Sequence, residues 1–355
     1  MAEIKPFRAV RYDERAAGPL ASLIAPPYDV IDADARDRYR AASPHNVVHL
    51  TLADEASEAA ALWNAWRADG ALVRDEEPAF WWLAQDYVGP DGVARRRDGL
   101  VCALRVEPYS ARVVLPHERT HAGPKEGRLR LLRAVRADVE PIFLLYGGEL
   151  EPPAGEAAVD VDLDGVRNRL WQTPGDPSAA LAEAQLLIAD GHHRYETALA
   201  FHAEDGTDES AWLLVVICPT AQDGLTIFPT HRIVGRLGPV DGEPAATVEE
   251  ALALLPEGRS GAVVYRRGHV TVVEGEPGEP DAALVERLDG HDVTYTAHAE
   301  EAIATVEDGT ADAALIVRPT PIELVWEIAL RGETMPPKST YFFPKLPSGL
   351  LFMPL

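Results

Sequence analysis

Residues 189–200 read ADGHHRYETALA and follow the apolar run Leu186, Leu187 and Ile188. Two adjacent histidines and an arginine stand where a buried-type strand signal, closed by Ile188, passes through Gly191 into a helix marked by Tyr195, Ala198 and Leu199. A helix start carries positive partial charge and unpaired amide donors, so acidic residues are favoured there and His192, His193 and Arg194 are electrostatically out of place. An anion on that turn reverses the sign, because amides, dipole and three side chains then converge on it. The simplest such anion is phosphate, and on this reading Arg194 needs its anion more than the fold needs Arg194. A bland account makes Asp190 a plain helix cap and the histidines satisfied core or solvated residues. Asp, Gly, two His and Arg at one turn serve no evident packing purpose, which favours the functional reading.

Further chemistry-bearing residues lie elsewhere. PHERTHAGPK places His117, Glu118, Thr120, His121 and Lys125 in a Pro/Gly-punctuated loop, ahead of a helix from Leu129 to Ala137 and a strand from Pro141 to Tyr146. IFPTHRIVG adds His231 and Arg232, balanced between a site and an ordinary strand end. In APPYDVI, Pro26 and Pro27 hold Tyr28 and Asp29 extended, as a chain reversal or a binding loop would require. The tail KSTYFFPK carries Lys338 and Lys345 beside Tyr341, Phe342 and Phe343. If those rings dock, Lys338 reaches a polyphosphate on the Asp190–Arg194 turn; the alternative is a structural strap with snorkelling lysines.

The elements that must position these groups alternate between strand and helix. NVVHLTL reads as a strand, Asp32–Ala42 as a polar helix, and AFWWLAQDYV with DGLVCALRVEPY as a hairpin about VGPDGV. Trp63 and Trp66, three apart on a helix, read as core. Beyond about residue 240, helices at VEEALALL, AALVERL and EEAIATVEDG alternate with the hairpin GAVVYRRGHVTVVEG, as in a smaller α/β lobe.

Composition excludes several classes. With 57 acidic against 33 basic side chains, the formal charge of −24 opposes broad contact with nucleic acid or an anionic bilayer. Neither a membrane span nor a signal peptide is legible, and Cys102 and Cys218 suit neither a disulfide framework nor a zinc site, so a cytoplasmic protein is expected.

APPYDVI, PHERTHAGPK, EPIFLLY, ADGHHRYETAL, FPTHRIV and MPPKSTYFFPKL, in this order, resemble the bacterial and archaeal family catalogued as domain of unknown function 1015. Its DGHHRYE stretch is similar to the phosphate-binding helix start of the ParB/sulfiredoxin superfamily, whose members include CTP-hydrolysing partition proteins, sulfiredoxin and free-serine kinases. The resemblance implies an α/β fold of mixed α+β type: a ParB/sulfiredoxin-like core with a large β-rich insertion over 1–240, a smaller C-terminal α/β lobe over 241–330, and a tail over 331–355 packing back on the core. It implies that Gly191, His192, His193 and Arg194 hold nucleotide phosphates, that Asp190 holds Mg2+ or orients the acceptor, and that Asp29 is the general base by position. His117, Glu118 and Lys125 would complete the site, with His231, Arg232 and Lys338 assisting. His192 stands where sulfiredoxin has cysteine, which sets aside sulfinic acid reduction, and Gly127 stands where the family has an acidic residue.

Two functions follow as expectations. One is an ADP- or ATP-dependent kinase or phosphotransferase acting on free serine or a similar hydroxylated metabolite. The other is a nucleotide-binding or nucleotide-hydrolysing switch without kinase activity. No helix-turn-helix signal or basic face supports a DNA partner, and nothing in the sequence sets the oligomeric state.

Overall fold

Alternation dictates the longest strands. Phe80–Val88 and Ala94–Arg105 pair antiparallel with Trp82 opposite Leu100, and the turn between them is closed by Gly89 N–H donating to the Val93 carbonyl at 2.9 Å. One face of this hairpin sends Phe80, Trp82, Ala84, Leu100, Cys102 and Leu104 into a single hydrophobic core. The computed structural model describes residues 1–119, 122–288 and 290–355. Thr120 and His121 of the PHERTHAGPK segment therefore lie outside the described residues.

The chain is a mixed α/β protein that divides into two units, the first drawn from 1–116, 120–225 and 344–355 and the second from 117–119 and 226–343. In the first unit, the main sheet runs in the order 114–115, 186–190, 142–146, 212–219, 94–105, 80–88, 166–173, 159–163, with 4–5 added beside 94–105. The strand Leu186–Asp190 lies parallel to 114–115 and antiparallel to 142–146, with a bulge between Ile188 and Asp190. A second core gathers Val10, Tyr12, Trp63, Trp66 and Phe352 around the helix Ala56–Ala68. Asp32 caps the helix Ala33–Ala42 by accepting from Ala35 N–H at 2.7 Å.

The second unit has an antiparallel sheet in the order 243–245, 269–277, 259–266, 313–316, 231–237, 290–296. The helices Val248–Leu254 and Ala299–Glu307 cover one face through Ala251, Ala302 and Val306, and Asp281–Glu286 covers the other through Leu284 and Val285. Tyr341–Phe343 pairs with Thr226–Phe228. Among the described residues no helix is long and apolar enough to cross a membrane.

Two elements differ from the sequence reading. NVVHLTL contains the short helix Val48–Thr51, not a strand; Asn46 Oδ1 accepts from Val48 N–H at 3.0 Å, and this local bond overrides the β-branched composition. The helix expected from Leu129 spans Ala122–Val135, so Lys125 is helical and not in a loop. A proline in a helix's first turn removes no intrahelical hydrogen bond, which lets Gly-Pro sit inside the start.

Candidate functional site

The strand Leu186–Asp190 ends and the helix His192–Asp205 begins across a single residue, Gly191, at φ 96°. A Cβ there would come within 2.7 Å of Ile142 Cγ2, so both conformation and space require glycine. The helix has 14 residues, no acidic residue in its first turn and no side-chain cap. Its first three residues are His192, His193 and Arg194.

Arg194 does have an anion, and the chain supplies it. Its Nη2 donates to Asp190 Oδ2 at 2.7 Å and its Nη1 to the Pro141 carbonyl. The other Asp190 oxygen accepts from Lys345 Nζ. Arg194 thus pairs with a carboxylate of its own chain. Side-chain exposures of 10% for Arg194, 14% for Asp190 and 18% for Lys345 place the triad out of bulk water. Burial acts to raise the Asp190 pKa, but Lys345 and Arg194 outweigh it and hold the carboxyl below the usual range.

A third cation joins them. Arg97 is 1% exposed; its Nη2 donates to Gln85 Oε1 and to the Pro344 carbonyl, each at 2.5 Å, and its guanidinium lies 4.4 Å from the Phe143 ring centroid. Its Nη1 is buried and has no hydrogen-bond partner among the described residues. Burial lowers its pKa, and Asp190 is among the groups opposing that. Arg194 and Lys345 thus hold Asp190 between them, and its charge also acts on the buried Arg97, in a chain of net charge −24.

Asp29 sits in the turn Tyr28–Val30, exposed, and is one of the carboxylates that raise the Arg194 pKa against burial, with Asp190 and Glu140. The turn is anchored from below: Tyr28 N–H donates to Glu140 Oε1 at 2.9 Å, Arg128 stacks over the Tyr28 ring at 4.0 Å and pairs with Glu140 at 3.5 Å, and Ser348 bonds the same Glu140 oxygen. Lys125 pairs with Glu196, two residues beyond Arg194, at 2.7 Å. Asp138, 7% exposed, accepts from Leu214 N–H at 2.9 Å; burial pushes its pKa up to about 7, against that bond and Arg194.

The remaining candidates belong to the second unit. His117 is fully buried; its Nε2 meets Thr340 Oγ1 at 3.0 Å and its carbonyl accepts from Met335 N–H, while Glu118 bridges to Met335. His231 is buried and accepts from Val317 N–H through Nδ1 at 3.2 Å; burial, then Arg232 and His298, lowers its pKa to about 4. Arg232 lines a cavity in the same unit. The tail lysines are divided: Lys345 lies with the first unit on Asp190, and Lys338 with the second, at φ 59°.

Asp190 does not fit a protein-held Mg2+, since both its oxygens are taken by cations, and among the described residues no group of three or more His, Cys, Asp or Glu could hold a metal. Arg97, Arg128, Asp138 and Glu140 were not singled out from the sequence. The signal for Arg97 was period-two alternation within ARRRDGL, which puts it on the opposite face from Arg96 and its exposed pair with Asp98.

The family described as "Protein of unknown function (DUF1015)" matches residues 4–308. No curated protein matches the chain. Solved structures similar to it include a free serine kinase in complex with AMP, 17% identical over 67% of this chain and 89% of that one with a TM-score of 0.39. A conserved hypothetical protein from Pyrococcus furiosus is 18% identical over 66% and 90%, with a TM-score of 0.37. SbnI with C-terminal truncation from Staphylococcus aureus is 12% identical over 71% and 87%, with a TM-score of 0.41.

Proposed function

The chain belongs to the DUF1015 family of proteins of unknown function, and from that premise we propose that it binds a nucleotide by its phosphates at the start of the helix His192–Asp205 and transfers a phosphoryl group to a small hydroxylated metabolite. The observation that carries the reading is the gathering of cations at a helix start without a side-chain cap: Arg194 and Lys345 on the two oxygens of Asp190, with the buried Arg97 within its electrostatic reach. Amides at a helix N-terminus point outward with positive partial charge, so a phosphate there completes both the hydrogen bonds and the charge. Phosphoryl transfer asks a protein chiefly for positioning and charge neutralisation, which this cluster suits.

Each residue then has a task. The amides of Gly191 to Arg194 and the His192 and His193 rings grip phosphate oxygens, and Lys345 and Arg97 neutralise them. Asp190 positions Lys345 and Arg194 and carries no metal. Asp29, exposed on its anchored turn and felt by Arg194, takes the proton of the attacking hydroxyl; that oxygen bonds phosphorus, and the nucleotide leaves one phosphate shorter.

The test is a thermal-shift panel of ADP, ATP, CTP and GTP, followed by phosphorus NMR of the best binder with free serine and other hydroxy acids. Stabilisation by ADP or ATP and a new phosphomonoester resonance are expected. If no nucleotide raises the melting temperature, the reading fails at its first step. Binding without a phosphomonoester from any acceptor removes the kinase step and favours a nucleotide-driven switch.

A further inference from the structure

Arg232, on the strand His231–Leu237 of the second unit, is 5% exposed. Its side chain makes one hydrogen bond among the described residues, from Nη1 to the Thr230 carbonyl at 2.8 Å, and its guanidinium stands 5.8 Å from the Tyr295 ring centroid. No carboxylate among the described residues forms an ion pair with it. A buried guanidinium without an anion is costly, because desolvation is compensated only when charge and donors are met. Burial lowers the Arg232 pKa, with Tyr295 and Glu286 opposing.

This cation faces a cavity of about 230 Å3, walled by Val234, Val285, Val293 and Leu315, with Tyr295 and the exposed Glu286 at its edge. We propose that the cavity binds a small α-amino acid with an apolar side chain: its carboxylate on Arg232, its hydrocarbon body among the valines and leucine, and its ammonium toward Glu286. A guanidinium presents parallel donors that match a carboxylate bidentately, and apolar walls with few convergent polar groups are how small-ligand sites achieve orientation. The volume lies below the roughly 300–1,000 Å3 of sites for drug-sized ligands, which suits an amino acid better than a nucleotide. The assignment goes beyond the nucleotide reading, and its test uses no nucleotide.

Isothermal titration of the full chain with leucine and phenylalanine, their amides, and the deaminated acids 4-methylpentanoate and 3-phenylpropanoate separates the contributions. Both amino acids should bind, and the amides should bind at least about tenfold more weakly, since they lose the charged pair with Arg232. Glu286→Gln should weaken the amino acids and leave the deaminated acids unchanged, whereas Tyr295→Ala, a change at an exposed ring, should weaken all of them. Equal affinity of acids and amides, no binding at millimolar concentration, or amino-acid affinities unmoved by both substitutions overturns the assignment.

Discussion

Replacing Asp190 by Asn leaves Arg194 and Lys345 buried without the carboxylate both grip, beside the buried Arg97. Breaking a buried pair by removing one partner typically costs about 3–5 kcal/mol, and a loss of that order is expected in urea denaturation at neutral pH. The folded Asp190 pKa is depressed, so its stabilisation is fully present above the unfolded value of about 3.9 and is lost as pH falls below it. The Asp190→Asn penalty should therefore shrink in acid; an equal penalty at neutral and strongly acid pH would mean the carboxylate charge is not what stabilises. Asp138 has the opposite sign. Its folded pKa is raised to about 7, so the native state holds a proton that the unfolded chain has released, and stability falls as pH rises from about 4 through 7. Asp138→Asn should abolish that decline and gain on the order of 4 kcal/mol at pH 8 relative to pH 4, read from parallel melts. His231, with its pKa lowered to about 4, loses stability as pH falls from about 6.5 toward 4, and a neutral substitute at that position should flatten the acid limb.

At the scale of elements, the handover from strand to helix depends on Gly191. An alanine there must adopt φ 96° and press its Cβ within 2.7 Å of Ile142 Cγ2. Left-handed strain alone is on the order of 1–3 kcal/mol, and relieving it shifts the helix start that presents His192 and His193. Gly191→Ala is expected to lower the melting temperature and to abolish nucleotide-induced stabilisation together; a variant that melts lower yet binds nucleotide normally would separate the turn from the site. Lys125 and Glu196 clip the helix Ala122–Val135 to the helix His192–Asp205, but the lysine is 37% exposed, so the pair contributes at most about 1 kcal/mol and Lys125→Ala should scarcely move stability.

For the whole molecule, the last twelve residues determine whether the first unit is complete. Phe352 is fully buried, its ring 5.5 Å from Tyr12 and 5.4 Å from Trp63, and its backbone exchanges two hydrogen bonds with Val10. Phe352→Ala should cost about 3–5 kcal/mol by the cavity it opens, measured by denaturant unfolding. The same segment carries Lys345 to Asp190, and it lies beyond residues 4–308, where the family match ends. A chain ending at Phe343 is thus expected to lose both the first unit's stability and the cation balance of the site, whereas Lys345→Met at full length should weaken nucleotide binding with a smaller loss of stability. Truncation without effect on either would show the tail to be dispensable.

Local pattern was legible where one period and one turn residue sufficed. The hairpin Phe80–Arg105, the Leu186–Asp190 strand, Gly191, the helix after it and the core role of Trp63 and Trp66 all follow from spacing along a short stretch of chain. Four apolar residues in NVVHLTL did not suffice, because a short buried run fits helix or strand and only the hydrogen bond from Val48 N–H to the Asn46 side chain and the surrounding core select the helix. The charges of the candidate site were beyond local pattern altogether. HHR announced cations at a helix start, yet Arg194 finds Asp190 four residues back, Lys345 arrives from 155 residues away, and Arg97 comes from a strand whose arginines look alike in sequence. Periodicity encodes which face a residue occupies; which distant group meets it, and how far burial shifts its proton affinity, depends on desolvation and Coulomb terms that exist only once the chain has closed on itself.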